Sequence, residues 1–161
     1  MWPWWRGTRV DDIPAPPGLA ALYEREWAPL LRLAYLLVGA RTVAEDLVQD
    51  AFLRLHAAWA RVDDPLAYVR TCVVNGARDH HRHRAVVDRT PVPRAEAVVD
   101  RPDELGHVLA GLPVRQHAAL GLRYHLDLSD EAIAAALGCR PSTVRSLLRR
   151  GLARLREELV R

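Results

Sequence analysis

Between Arg140 and Arg150 the chain gathers seven side chains of the kinds that read nucleic acid: Arg140, Ser142, Thr143, Arg145, Ser146, Arg149 and Arg150. A guanidinium fork spans two acceptors on a guanine edge, and it pairs equally well with phosphate. No acidic residue lies between Ala132 and Arg156, so this stretch is a one-signed surface. A second polar set has the opposite sign: Glu45, Asp46, Gln49 and Asp50. Exposed carboxylates and an amide in a row suit a basic protein partner, or simply solvent. A third set, Tyr68, Arg70, Asn75, Arg78, Arg82 and Arg84, combines an aromatic face, an amide and cations. Those are the groups that stack on an unpaired base, bond its edge and hold its phosphates. Packing competes with this role for Tyr68, and a plain surface amide competes for Asn75.

Two other clusters are read as chemically silent. His80, His81 and His83 are possible zinc ligands by type. Neighbouring helical positions point in different directions, however, and no distant Cys or His pair completes a site. An exposed basic helix end is expected, and no metal. Cys72 and Cys139 lack metal-ligand spacing and read as small hydrophobes in a reduced chain. No Ser/His/Asp arrangement, paired acids on a cleft or glycine-rich phosphate loop is present.

The elements that must position these groups are helical throughout. Leu19, Leu22, Tyr23, Trp27, Leu30, Leu31, Ala34 and Leu37 trace one helical stripe. Thr42 and Glu45 have the spacing of a capping box that would start a second helix, with Val43, Leu47, Val48, Ala51, Phe52 and Leu55 as its core face. Asp64-Pro65 predicts a cap and a proline in the first turn of a third helix, burying Leu66, Val69, Val73 and Ala77 and ending in the basic run His80–Arg84. Residues 85–102 carry three prolines and no period, which predicts a linker. Helices over Glu104–Leu112 and Val114–Tyr124 follow, broken by Pro113. Ser129 then caps a short helix bearing Ile133, Ala134 and Leu137, Gly138 ends it, and Pro141 opens a last helix whose stripe is Val144, Leu148 and Leu152. A short helix followed by an arginine-rich one is a helix-turn-helix, a DNA-docking unit.

At 161 residues and 50% hydrophobic, the chain suffices for two small domains. The formal net charge of +3 conceals the segregated acidic and basic segments. No apolar run reaches membrane-spanning length and no signal pattern opens the chain, so a cytoplasmic protein without membrane insertion is expected. Residues 1–17, with Trp2, Trp4 and Trp5, read as a disordered tail, or alternatively as a partner anchor.

Ala44–Leu55 resembles region 2.2 of bacterial RNA polymerase sigma factors of the small extracytoplasmic-function type (group IV of the sigma-70 family), in their actinobacterial form. Asp64–Asp79 resembles regions 2.3 and 2.4, Leu112–Gln116 and Leu122–Tyr124 resemble region 4.1, and residues 127–156 resemble region 4.2. The resemblance spans 18–84 and 103–158. It implies an all-α fold of two small helical domains: region 2, a three-to-four-helix bundle over 18–84, and region 4, a helix-turn-helix over 103–161, joined by a flexible linker at 85–102. It implies a factor without catalysis or cofactor that binds core RNA polymerase (β′ clamp helices and β flap) and promoter DNA and helps open it. Glu45, Asp46, Gln49 and Asp50 would face the polymerase. Tyr68, Arg70, Asn75, Arg78, Arg82 and Arg84 would meet the minus-ten element, beside a flipped-base pocket at residues 60–64. Arg140, Ser142, Thr143, Arg145, Ser146, Arg149 and Arg150 would meet the minus-thirty-five element. Control by an anti-sigma factor is also implied. The chain departs from the pattern at two places. Arg140 stands where a capping serine is common, leaving Ser142 as an alternative cap. Leu147 stands where a basic residue is common, which predicts a lost phosphate contact or an altered recognition face. A stand-alone helix-turn-helix regulator acting without polymerase is the rival reading, and a small nucleic-acid enzyme built on the histidines is a more distant one.

Overall fold

The structure, a computed structural model, describes residues 15–87, 108–109 and 111–160. Its regular elements are helices: α1 (Leu19–Val38), α2 (Arg41–Ala58), a 3-10 turn (Trp59–Arg61), α3 (Pro65–Val87), α4 (Val114–Tyr124), α5 (Asp130–Leu137) and α6 (Pro141–Leu159). No strand occurs among the described residues, in line with the all-α expectation. The tail before Ala15 lies outside the described residues. So do positions 88–107, which hold most of the expected linker and the first turn of the expected Glu104–Leu112 helix. Of that helix Val108 and Leu109 are helical, while Gly111 and Leu112 already turn away, so it does not reach Leu112.

Helices α1, α2 and α3 form the first bundle. Leu30, Leu33 and Leu37 of α1 meet Val48, Phe52 and Leu55 of α2 and Val69, Val73 and Ala77 of α3, all buried. Gly39, at φ 73°, ends α1 and sends its N–H to the carbonyl of Tyr35. The chain then turns directly into α2, and here the capping-box expectation fails. Extended Ala40 occupies the N-cap position with no side-chain cap, so Thr42 already lies inside the helix. Because α1 stops at Val38, two residues before the buried Ala40, α2 has room to begin at Arg41. The Asp64 cap does form, its Oδ1 accepting the N–H of Ala67 at 3.0 Å. Helix α3 runs to Val87, three residues beyond the expected end of the basic run.

Helices α4, α5 and α6 make the second unit. Ser129 caps α5, its hydroxyl accepting from the N–H of Ala132 at 3.2 Å. Gly138, at φ 59°, closes that helix in the left-handed conformation that glycine adopts at least cost. Ile133, Ala134 and Leu137 are buried as expected. The stripe of α6 differs from expectation. Val144, Leu147 and Gly151 are its buried residues, Leu148 is only partly buried, and Leu152 is 40% exposed. Leu147 therefore belongs to the core and to no recognition face. Gly151 has no side chain to register as apolar, yet an added side-chain carbon there would stand 2.9 Å from Leu120. The glycine lets α6 close on α4.

The two units share one hydrophobic cluster. At Gly121 of α4 an added side-chain carbon would stand 3.1 Å from both Leu33 and Leu36 of α1, so the helices approach closely there. Beside this contact, Val74, Asn75 and Arg78 of α3 face Val114, Arg115, Ala118 and Leu137 across a cleft of about 10 Å³. That is room for no more than one water.

Candidate polymerase and nucleic-acid interfaces

On α2, Ala44, Val48, Ala51, Phe52 and Leu55 define the buried side. At 3.6 residues per turn, Asp46 and Asp50 fall opposite that side, Gln49 falls beside them, and Glu45 lies near the core edge. Their exposure follows: Asp46, Gln49 and Asp50 are exposed and Glu45 is intermediate. Glu45 accepts from Arg41 Nε at 2.9 Å, and Asp50 from Arg54 Nε at 2.6 Å. Both pairs run i to i+4 along the surface. The Asp50 carboxylate beside it holds the Arg54 guanidinium above its ordinary range. Leu53, 70% exposed, shares the acidic face. The sequence reading left it off the core face but gave it no role, because a single exposed leucine on a helix is common and carries no signal of its own. The face is acidic with an apolar centre.

On α3 the structure sorts the candidates into two groups. Tyr68, Asn75, Arg78 and Arg82 fall on one side, opposite Val69, Val73 and Ala77. Asn75 Oδ1 accepts from Arg78 at 3.1 Å, and Arg82 lies 3.6 Å from Asp79. Tyr68 packs partly into the core, beside Cys72, whose thiol burial pushes up. Arg70 turns toward the bundle, with a buried Nε that has no partner. Arg84 is exposed where α3 overruns the bundle. The histidines are not simply an exposed basic end: His81 Nε2 lies 2.6 Å from the carbonyl oxygen of Leu37. Partial burial and the cations around it hold His80 below its usual range. Among the described residues no group of three or more metal-ligating side chains comes together.

On α6, Ser142, Ser146 and Arg149 fall opposite the buried Val144, Leu147 and Gly151, with Thr143, Arg145 and Arg150 at their flanks. Arg140 is the extended N-cap residue, its carbonyl accepting from Thr143 and Val144. The alternative of Ser142 as cap therefore fails, since Pro141 already occupies the first helical position. Ser146 donates to the Ser142 carbonyl, and Arg150 Nε to that of Ser146, both at 3.2 Å. Arg145 is held back by Asp130, 3.6 Å away. Asp130 also takes a charge-assisted bond from Arg123, whose other nitrogen bonds the Leu128 carbonyl at 2.6 Å. Arg115 donates to the Leu137 carbonyl at 3.2 Å. Arg115 and Arg123 thus brace the helix-turn-helix, a role that basic residues in a motif do not announce. The hydrogen bond from its own backbone N–H, then the Ser129 hydroxyl, holds the Glu131 carboxylate below its usual range.

A helix with an exposed acidic face, an aromatic and amide helix, and a basic helix-turn-helix thus follow one another in the chain. The family profile described as Sigma-70 region 2 matches residues 22–86, and that described as Sigma-70, region 4 matches residues 103–155. The RNA polymerase sigma-E factor of Streptomyces coelicolor is 36% identical over 141 residues, covering 81% of this chain and 80% of that one. The chain belongs to the sigma-70 family, as an extracytoplasmic-function sigma factor. The ECF RNA polymerase sigma factor SigE of Mycolicibacterium smegmatis is 29% identical over 168 residues, 94% of this chain and 65% of that one. In three dimensions the sigma factor RpoE of Bartonella quintana, solved with the anti-sigma factor NepR, superposes with a TM-score of 0.69. Its identity is 26%, and the match covers 86% of this chain and 96% of that chain. This sigma factor acts in polymerase-directed transcription initiation. Among the described residues no helix is long and apolar enough to cross a membrane.

Proposed function

We propose that the sigma factor divides its work by domain: residues 18–84 hold the polymerase and the minus-ten element, and residues 103–161 hold the minus-thirty-five element. Asp46, Gln49 and Asp50, supported at the edge by Glu45, pair with basic residues of the β′ clamp helices. Tyr68, Asn75, Arg78 and Arg82 meet the opened minus-ten strand, with Arg84 on its phosphates. Arg70 serves the bundle more than the DNA, given its orientation. Arg140, Ser142 and Arg145 lie nearest the base edges, and Ser146, Arg149 and Arg150 follow along the groove, as the start of a recognition helix dictates. Thr143 borders that face. The β flap receives the same domain. The factor is cytoplasmic and non-catalytic, and an anti-sigma factor controls it by covering the polymerase-binding face.

The single observation that carries this reading is the opposition of an exposed acidic face on α2 to an exposed basic face on α6 within one chain. A regulator that works without polymerase has no use for the first. The cleft at Asn75 and Arg78 is too narrow for a nucleotide, so the two units part when promoter DNA binds. Run-off transcription with core polymerase over a promoter library tests the proposal. Transcripts that depend on the factor and on paired upstream elements support it. A footprint by the factor alone, with no polymerase-dependent transcript, contradicts it.

A further inference from the structure

Beside the acidic face of α2 lies an apolar groove of about 450 Å³ between α1 and α2, whose lining includes Ala15, Leu19, Tyr23, Gln49, Phe52 and Leu53. Tyr23 is 40% exposed and Leu53 70%. Tyr23 stands edge-on to Phe52 with ring centroids 4.9 Å apart, and it lies equally close to Trp27. Aromatic walls of this kind accept another aromatic ring by edge or offset stacking. No described segment of the chain fills the groove.

We propose that the chain's own tryptophan-bearing tail, residues 1–14, docks in this groove and competes there with the polymerase. Three observations select that occupant. Ala15, the residue at which the described chain begins, is itself part of the lining, so the tail starts at the groove. The tail carries Trp2, Trp4 and Trp5, large rigid anchors suited to an apolar cleft. Arg6 and Arg9 follow the tryptophans, and the groove's polar margin holds Glu24, with Asp46 and Asp50 exposed on the adjoining face of α2.

Reach is no obstacle. Fourteen residues span up to roughly 45–50 Å when extended, while the 18-residue α2 is about 27 Å long. A tethered segment also acts at an effective concentration near the millimolar range. Weak intrinsic binding therefore suffices to fill the groove most of the time. Gln49 belongs both to the groove and to the proposed polymerase face, so tail and polymerase exclude one another; this competition rests on the assignment of that face to the polymerase.

The test uses the full chain labelled with 5-fluorotryptophan, whose five indoles give separate fluorine signals assignable by single Trp→Phe changes. In the wild type, one or more of the Trp2, Trp4 and Trp5 signals is protected from a soluble quencher. Leu53→Arg, at an exposed site, releases that protection without lowering the melting temperature. Tail signals that are fully quenched in both proteins overturn docking. So does protection that appears only with rising concentration as the protein sediments as a dimer, because a second copy is then the occupant. In core polymerase binding, the Trp2→Ala/Trp4→Ala/Trp5→Ala variant binds about three- to tenfold more tightly than wild type, the factor expected when a blocked fraction is freed. Equal affinity overturns the competition. Loss of polymerase binding to Asp46→Arg, measured alongside, shows independently whether the face itself was assigned correctly.

Discussion

Arg149 and Leu147 sit two residues apart on α6 and do opposite work. Arg149 is exposed, opposite the buried stripe, and is proposed to bear on phosphate. Arg149→Ala should leave the melting temperature unchanged and lower the salt slope of promoter binding by about one unit, as loss of a single phosphate contact does. Leu147 is 8% exposed and packed in the core. Leu147→Arg, the residue type common in the family at that position, should gain no DNA contact here. It should destabilise the second unit by about 3 kcal/mol or more, the cost of forcing a charge into an apolar site. A denaturant titration that finds this variant as stable as wild type contradicts the placement. His117 supplies a pH test. It is buried, with Nε2 unpartnered, and burial holds it down to about 4, assisted by the nearby His81. The unfolded chain takes up this proton near 6.5, so stability is full above that pH and is lost as pH falls from 6.5 toward 4, by about 3 kcal/mol in all. His80 and His125 are shifted in the same direction, so the measurement is the difference between wild type and His117→Leu. An identical pH slope in both contradicts it.

At the scale of the element, caps and faces decide what can be read from the sequence. Ser129 and Asp64 were legible because each caps the helix directly beside it, with nothing upstream to compete. Ser129→Ala should cost about 1 kcal/mol of stability, seen as a lower denaturation midpoint at an unchanged slope; no shift contradicts the cap. Thr42 was misread because the N-cap of α2 is settled by where α1 stops, and Gly39 in its left-handed turn hands that place to Ala40. The face of α6 was misread for a related reason. Val144–Leu148–Leu152 and Val144–Leu147–Gly151 are both helical stripes, and hydrophobicity favours the first. Close approach to Leu120 favours the second, through a glycine that carries no apolar signal. Among the candidate site residues, the α2 acids and the α6 arginines lie on faces set by regular periodicity and were legible. Arg70 was not, since an arginine on a helix reads as exposed until the packing around it is known.

Across the whole molecule, the approach of the two units was not legible at all. It depends on Gly121 meeting Leu33 and Leu36, residues whose pattern assigns them only to their own helices. Gly121→Leu should pry the units apart and enlarge the radius of gyration in small-angle scattering, and unchanged dimensions contradict the contact. Opening would uncover the half-buried Asn75 for the proposed minus-ten contact, while Arg78 and the acids Asp46 and Asp50 of α2 are exposed already in the closed arrangement. The central claim is this division of labour. Its most direct test is the affinity of core RNA polymerase for wild type and for Asp46→Arg, measured with melting temperatures in parallel. The expected result is binding at least about tenfold weaker with an unchanged melting temperature, as reversing a charge at an electrostatically complementary interface produces. Unchanged affinity for core polymerase in a folded Asp46→Arg variant contradicts the account.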